Sequence, residues 1–158
     1  MNSQGYIGYS SSLQRITVAL RGSTSPEDFL NDLNTLPVVN PRLSGVAFPA
    51  GTSVIAGVFT AYAAIHNDII SEVRRLISLY PSYTLESTGH SLGGSLTYLS
   101  YIALAQNFPG KTITSNAQAA FPIGNQIFAN FGQQQKGLLR RGNNAGDGVP
   151  VSLDVTIK

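Results

Sequence analysis

The chain has 158 residues, of which 42% are hydrophobic and only 11% charged, and its formal net charge is +2. This size and apolar fraction predict a single globular domain over residues 1–158. The absence of cysteine excludes disulfides and thiolate metal sites. The chain has no run of about 18 apolar residues, so no membrane span is predicted. It also has no stripe of basic and aromatic residues, so nucleic-acid binding is not predicted.

Strands and helices are predicted to alternate along the chain. Period-two alternation marks strands, and apolar residues that recur every three and four positions mark helices. The predicted strands are 6–10, 15–21, 83–88, 112–120 and 137–141. The predicted helices are a short one from Ser25 that ends before Pro37, a long one over 57–80, and two more over 95–107 and 125–135. Residues 40–56 are predicted as a loop with at most one short strand. This order indicates an α/β fold, with a mostly parallel sheet and helices on both faces.

The segment from Gly89 to Gly93 carries the most informative motif. It reads Gly-His-Ser-Leu-Gly, which fits Gly-x-Ser-x-Gly, and it lies between a predicted strand and a predicted helix within a turn over 89–94. A nucleophile elbow needs this order, because a sharp strand-to-helix turn projects the serine hydroxyl above the sheet. The motif therefore predicts Ser91 as a nucleophile. The alternative is a glycine-rich turn with an incidental serine.

A serine acyl-transfer site also needs donors for the oxyanion. One donor is the backbone N–H after the nucleophile, which belongs to Leu92. The second comes from a neighbouring loop, and the turn over 21–24, at the end of the second strand, is the best candidate. A strand-end turn rich in glycine and serine is common, so this assignment remains open from the residues alone.

The remaining triad groups should follow the serine as acid and then histidine. Asp147 lies in a glycine-rich loop after the last predicted strand, and its alternative is a surface turn residue. The chain has two histidines, His66 and His90, and neither follows Ser91. His66 is predicted as a core-edge residue of the long helix, and His90 is held beside the nucleophile. We expect a chain without the triad histidine to lose about six orders of magnitude in turnover.

These segments together resemble the fungal class 3 lipases, the secreted triacylglycerol lipase and feruloyl esterase family of filamentous fungi. The matching stretches are 15–23, 29–33, 80–94, 124–130 and 147–150, in the family's order and spacing. Gly-His-Ser-Leu-Gly-Gly over 89–94 is the most specific of them. The resemblance implies an α/β-hydrolase fold and an ester hydrolase that acts on lipid or other esters, with no metal and no cofactor.

The resemblance also implies roles for individual residues. It makes Ser91 the nucleophile, Asp147 the triad acid, and Ser23 with Leu92 the oxyanion hole. It further implies that the helix from Ser25 is a lid that opens at an oil–water interface, although an ordinary surface helix is the alternative. The residues assigned to the lid are Ser25, Pro26, Phe29, Leu30 and Leu33.

The chain also departs from the family's pattern. The family commonly has a histidine before the Gly-Phe that opens the long helix, where this chain has Ile55-Ala56-Gly57-Val58-Phe59, and Pro-Arg-Val-Gly-Asn where this chain has Phe121-Pro-Ile-Gly-Asn125. The family also extends beyond both ends, so the domain is expected to be partial and its triad histidine missing. Secretion follows from the resemblance, although no signal peptide is recognised in the chain.

Two functional hypotheses remain. One is a lipase or esterase whose sequence here is incomplete, so that activity of the chain as written is doubtful. The other is a non-catalytic lipid-binding or interaction protein derived from a lipase. The missing histidine favours the second hypothesis, and the joint presence of Ser91, Ser23 and Asp147 favours the first.

Overall fold

The computed structural model describes residues 4–22 and 37–144. Its strands are β1 (Gly5–Ser10), β2 (Arg15–Leu20), β3 (Val38–Val39), β4 (Val54–Ile55), β5 (Thr84–His90), β6 (Ile113–Gln118) and β7 (Leu138–Gly142). Its helices are α1 (Ala56–Leu79), α2 (Leu92–Asn107) and α3 (Gln126–Gln133). Ser23, Asp147 and the predicted lid helix, with Ser25, Pro26, Phe29, Leu30 and Leu33, lie outside the described residues.

The main sheet has the strand order β1-β2-β5-β6-β7. β1 pairs antiparallel with β2, and each of the other neighbouring pairs is parallel. A parallel register brings the carboxyl ends of β2, β5 and β6 to one edge of the sheet, because the three strands run in the same direction. The mostly parallel sheet predicted from the alternating pattern is confirmed.

One face of the sheet forms the hydrophobic core with the helices. Ile16, Leu85 and Ile113 are neighbours across three strands and are at most 1% exposed. α2 covers β5 and β6, and 13 of its 16 residues are buried. A helix that is buried almost all round lies at the centre of a domain, which explains why α2 carries no charged residue.

α1 is amphipathic and packs its apolar side against α2 and the β1–β2 end of the sheet. Its buried residues include Tyr62, whose phenol has its pKa raised above the ordinary value by burial. His66, one turn further along, is 2% exposed, and its Nε2 lies 2.8 Å from the carbonyl oxygen of Ser44. The prediction that His66 is a core histidine therefore agrees with its position. None of the helices within 4–22 and 37–144 has the length and hydropathy that crossing a bilayer requires.

The opposite face of the sheet carries a polar cluster that the sequence analysis did not predict. Glu86 of β5 is 8% exposed and accepts hydrogen bonds from Thr17 of β2 and Asn116 of β6, both at 3.0 Å. The Nε of Arg15 lies 3.2 Å from the same carboxylate. These contacts join three strands and give a buried charge the partners it needs.

The predicted start of α2 is wrong. The turn predicted over 89–94 is only one residue long, because β5 continues to His90 and α2 begins at Leu92 rather than at residue 95. Two of the glycines that suggested a long turn, Gly93 and Gly94, are instead helical residues placed against neighbouring backbone. The segment 40–56, predicted as a loop with at most one short strand, agrees with the structure: its one strand is β4, which pairs antiparallel with β3 in a separate two-stranded sheet.

A buried hydroxyl pair under the centre of the sheet gives a test of the β5–β6 contact. Ser87 and Ser115 are both 0% exposed, and their hydroxyl oxygens are 2.7 Å apart. Ser87→Ala alone should lower the free energy of unfolding by about 1–3 kcal/mol, since it leaves the Ser115 hydroxyl buried without its partner. Adding Ser115→Ala should cost little more, because neither hydroxyl is then left unpaired.

Urea unfolding of the two single variants and the double variant measures this coupling. The exposed pair Ser10 and Ser12, whose hydroxyl oxygens are 3.1 Å apart, is a matched control with an expected coupling near zero. Additive losses at Ser87 and Ser115 would contradict the paired arrangement.

Candidate active site

Ser91 is the single residue that joins β5 to α2, and its backbone is strained. Its φ is 57° and its ψ is −122°, a conformation that side-chain-bearing residues rarely adopt. Such strain costs about 1–3 kcal/mol and persists only where the surrounding structure enforces it. A strained serine between a strand and a helix is the geometry of a nucleophile elbow.

Three glycines make this connection sterically possible. A Cβ on Gly89 would overlap the carbonyl of Gly93, and a Cβ on Gly93 would overlap the carbonyl oxygen of Leu20. A Cβ on Gly94 would lie 2.5 Å from the carbonyl oxygen of Gln118. The first turn of α2 therefore fits directly against the ends of β2 and β6 only because these positions lack side chains.

Backbone hydrogen bonds fix Ser91 in place. Its N–H donates to the carbonyl oxygen of Gln118 at the end of β6, at 3.0 Å. Its own carbonyl accepts from the N–H of Ser95, also at 3.0 Å, which forms the first bond of α2. The Ser91 side chain makes no capping hydrogen bond to the helix. In the part of the chain that the structure describes, the hydroxyl thus does not cap the helix, and Ser91 is partly exposed.

The start of α2 offers backbone donors close to Ser91. The N–H groups of Leu92, Gly93 and Gly94 belong to the first helical turn, where the helix itself supplies no acceptors. The partial positive charge of a helix N-terminus favours an anion at this point. Leu92, the predicted oxyanion donor, is the first residue of α2 and directly follows the serine. Its role as a donor stays a prediction.

Gly22, two residues after the end of β2, lies close to Ser91. A Cβ on Gly22 would lie 2.7 Å from the carbonyl oxygen of His90 and 3.6 Å from the Cβ of Ser91. Gly22 is thus in close contact with the elbow, and the candidate oxyanion residue Ser23 is its neighbour in sequence. The sequence analysis named this turn, but the close approach of Gly22 could not be inferred from it.

The two histidines do not complete a triad within the described residues. His66 is buried on α1, where its Nε2 contacts the carbonyl oxygen of Ser44. His90 is exposed, is the last residue of β5 and directly precedes Ser91. In residues 4–22 and 37–144, no hydrogen bond joins the Ser91 hydroxyl to an imidazole.

The tight fit of the elbow predicts a large effect of a single methyl group. Gly93→Ala should lower the free energy of unfolding by about 3 kcal/mol, because the new Cβ meets rigid backbone at Leu20 rather than a movable side chain. Gly57→Ala in α1 is the matched control, since a Cβ there meets nothing within 4 Å. It should be neutral or stabilise by about 0.5 kcal/mol through helix propensity.

Chemical denaturation of both variants measures this difference. Equal effects of the two substitutions would show that the first turn of α2 is not wedged between β2 and β6.

Comparison with known proteins agrees with this geometry. The family model for lipase (class 3) matches residues 17–155. A secreted alkaline triacylglycerol lipase from Penicillium cyclopium is 51% identical over 149 residues, which cover 94% of this chain and 52% of the relative. A lipase from Rhizomucor miehei is 33% identical over 139 residues, covering 85% of this chain and 36% of the relative.

Solved structures match the fold as well. The crystal structure of a triacylglycerol lipase from Penicillium expansum superposes with a TM-score of 0.91 at 51% identity, covering 94% of this chain and 58% of that one. The Rhizomucor miehei lipase propeptide complex, a deletion mutant, gives a TM-score of 0.83 at 29% identity, covering 94% of this chain and 46% of that one. The chain thus spans about half the length of the relatives it matches.

The family prediction and the α/β-hydrolase fold are confirmed by these matches. The mostly parallel sheet and the strained serine between β5 and α2 agree with a family model that covers most of the sequence. The chain therefore belongs to the class 3 lipase family.

Proposed function

We propose that the chain carries the nucleophile site of a carboxylic ester hydrolase of the triacylglycerol lipase type. The backbone of Ser91, held at a φ of 57° between β5 and α2, is the observation that carries the proposal. A fold that only needed a turn here would gain stability from a glycine in its place. The relatives named as triacylglycerol lipases support an ester as the substrate.

In the proposed reaction the Ser91 hydroxyl attacks the ester carbonyl as a base takes its proton. The negative charge that develops on the carbonyl oxygen is stabilised by the N–H of Leu92 and by a donor from Ser23. Collapse of this intermediate expels the alcohol, which receives the proton, and leaves an acyl-enzyme at Ser91. Water then releases the carboxylic acid by the same steps in reverse order. Asp147 is proposed to orient the base.

We propose that neither histidine of this chain is that base. The Nε2 of His66 is engaged with Ser44, and the side chain is buried in the α1 contact with the core. His90 is adjacent to Ser91 in sequence and makes no hydrogen bond to it within the described residues. The chain as written should therefore turn over esters slowly, although Ser91 is arranged for attack.

The names of the relatives support a proposal for the substrate class and the setting. Proteins named triacylglycerol lipase and mono- and diacylglycerol lipase are among them, and several are named as secreted. We propose acylglycerols at an oil–water interface as the substrates and secretion as the destination. The segment from Ser25 to Leu33 is proposed as a lid, because its apolar residues would turn onto lipid when the site opens.

The second candidate function is non-catalytic lipid binding by a protein descended from a lipase. The positions of His66 and His90 favour it, since a serine without a base is a weak nucleophile. The strained backbone at Ser91 opposes it, because a site with no reaction to perform has no need for the strain.

Supplying the base from solution separates the two functions. Hydrolysis of p-nitrophenyl butyrate by the 158-residue chain and by Ser91→Ala is measured at increasing imidazole concentrations. Imidazole can act as a general base beside Ser91, so the chain should show an imidazole-dependent rate above that of Ser91→Ala. Without imidazole the two proteins should differ little, since loss of the base alone costs about as much as loss of the whole triad.

Two other results would change the account. Fast turnover that depends on Ser91 without imidazole would contradict the claim that neither histidine serves as base. Equal rates of the two proteins at every imidazole concentration, together with binding to triolein emulsions, would favour the lipid-binding function.

A further inference from the structure

Ser95 lies in the first turn of α2, one turn after Ser91, and its hydroxyl forms hydrogen bonds with a residue outside the helix. It donates to the carbonyl oxygen of Phe121 at 2.9 Å and accepts from the N–H of Phe121 at 3.0 Å. Both residues are 0% exposed. One side chain thus satisfies both backbone groups of a residue 26 positions away, in the segment that follows β6.

The segment after β6 is shaped around this contact. Ala119 has a φ of 45°, and its N–H donates to the carbonyl oxygen of Gly142 in β7 at 2.7 Å. The Cβ of Ala120 lies 3.1 Å from the position that a Cβ on Gly94 would take. The chain therefore turns sharply after β6, against the first turn of α2, and Ser95 bonds to it there.

The same two elements hold Ser91. The Ser91 N–H donates to Gln118 at the end of β6, and the Ser91 carbonyl accepts from the Ser95 N–H. The elbow is thus bonded to the end of β6 at Gln118. The helix that follows the elbow is bonded to the chain three residues further on, at Phe121. The Ser95 hydroxyl is bonded to the backbone of Phe121 and not to Ser91, so it acts on the position of the helix start.

We propose that Ser95 is a positioning residue for the elbow, which holds the Ser91 hydroxyl and the Leu92 N–H in register with each other. Without the Ser95 hydroxyl, the first turn of α2 would lose both of its hydrogen bonds to Phe121. A shift of the helix start would misplace the oxyanion donor relative to the nucleophile, which lowers kcat without changing substrate affinity. The inference rests on the proposed ester hydrolase function.

Ser100 provides a matched control in the same helix. It is also 0% exposed, and its hydroxyl lies beside that of Tyr62 on α1 rather than beside the segment after β6. Ser95→Ala and Ser100→Ala therefore remove the same group from the same helix at the same burial. Only Ser95→Ala removes the bonds to Phe121. Ser95→Cys, which keeps a weak donor and acceptor, should give an intermediate effect.

The first readout is kcat and KM in the imidazole-dependent esterase assay on the full chain. Ser95→Ala should lower kcat by about tenfold with KM unchanged, which corresponds to the loss of one well-formed hydrogen bond. Ser100→Ala should leave both constants near those of the unsubstituted chain. Equal values of kcat for Ser95→Ala and Ser100→Ala would overturn the inference.

The second readout needs no activity. Amide hydrogen exchange at Ser91 and Phe121, relative to that at Ile69 in α1, should be about fivefold faster in Ser95→Ala than in Ser100→Ala. If no protein shows a rate that depends on Ser91, the proposed function fails, and exchange still decides whether Ser95 fixes the elbow. Equal exchange at Ser91 in both variants would overturn the positioning role.

Discussion

The backbone of Ser91 is the constraint on which the rest of the site depends. A residue with a φ of 57° and a ψ of −122° turns the chain from β5 into α2 within a single position. The helix start is then so close to the sheet that Gly89, Gly93 and Gly94 have no room for a Cβ. The N–H of Ser91 also reaches the end of β6, so the strain is balanced by hydrogen bonds to a rigid neighbour.

Packing of the core keeps the backbone of Ser91 in its strained conformation. α2 lies between the sheet and α1 with nearly all of its residues buried, so the helix has little freedom to move away from the strands. The parallel register aligns the ends of β2, β5 and β6, which places Gly22, Ser91 and Gln118 together. Buried polar contacts such as Ser87 with Ser115 hold the strands in register beneath them. The position of the elbow is thus fixed by the packing of α2 and by its contacts with the ends of β2 and β6.

Much of this arrangement could be predicted from the sequence. The alternating periods gave the order of the strands and helices, and Gly-x-Ser-x-Gly between a strand and a helix predicted the elbow at Ser91. The boundary of α2 could not be predicted, because glycine indicates a turn locally, and only contact with Leu20 and Gln118 shows why it is helical here. The bond of Ser95 to Phe121 and the cluster around Glu86 join residues that are distant in sequence, so no local pattern reveals them.

The roles proposed for Ser23 and Asp147 remain predictions, since both lie outside the described residues. Ser91 lies within the described residues, where its side chain makes no capping hydrogen bond to α2. A serine that strains the backbone and makes no capping bond to α2 supports the proposal that this position serves as a nucleophile. The central claim is that the fold holds Ser91 under strain, and it can be tested without any assay of catalysis.

The most direct test compares the free energies of unfolding of Ser91→Gly and Ser91→Ala. Glycine adopts positive φ without strain, whereas alanine keeps the strain and lacks the hydroxyl, so Ser91→Gly should be the more stable by about 1 kcal/mol. This difference remains after the greater freedom of glycine in the unfolded chain is subtracted. A Ser91→Ala protein as stable as Ser91→Gly, or more so, would contradict the claim that the fold holds Ser91 under strain.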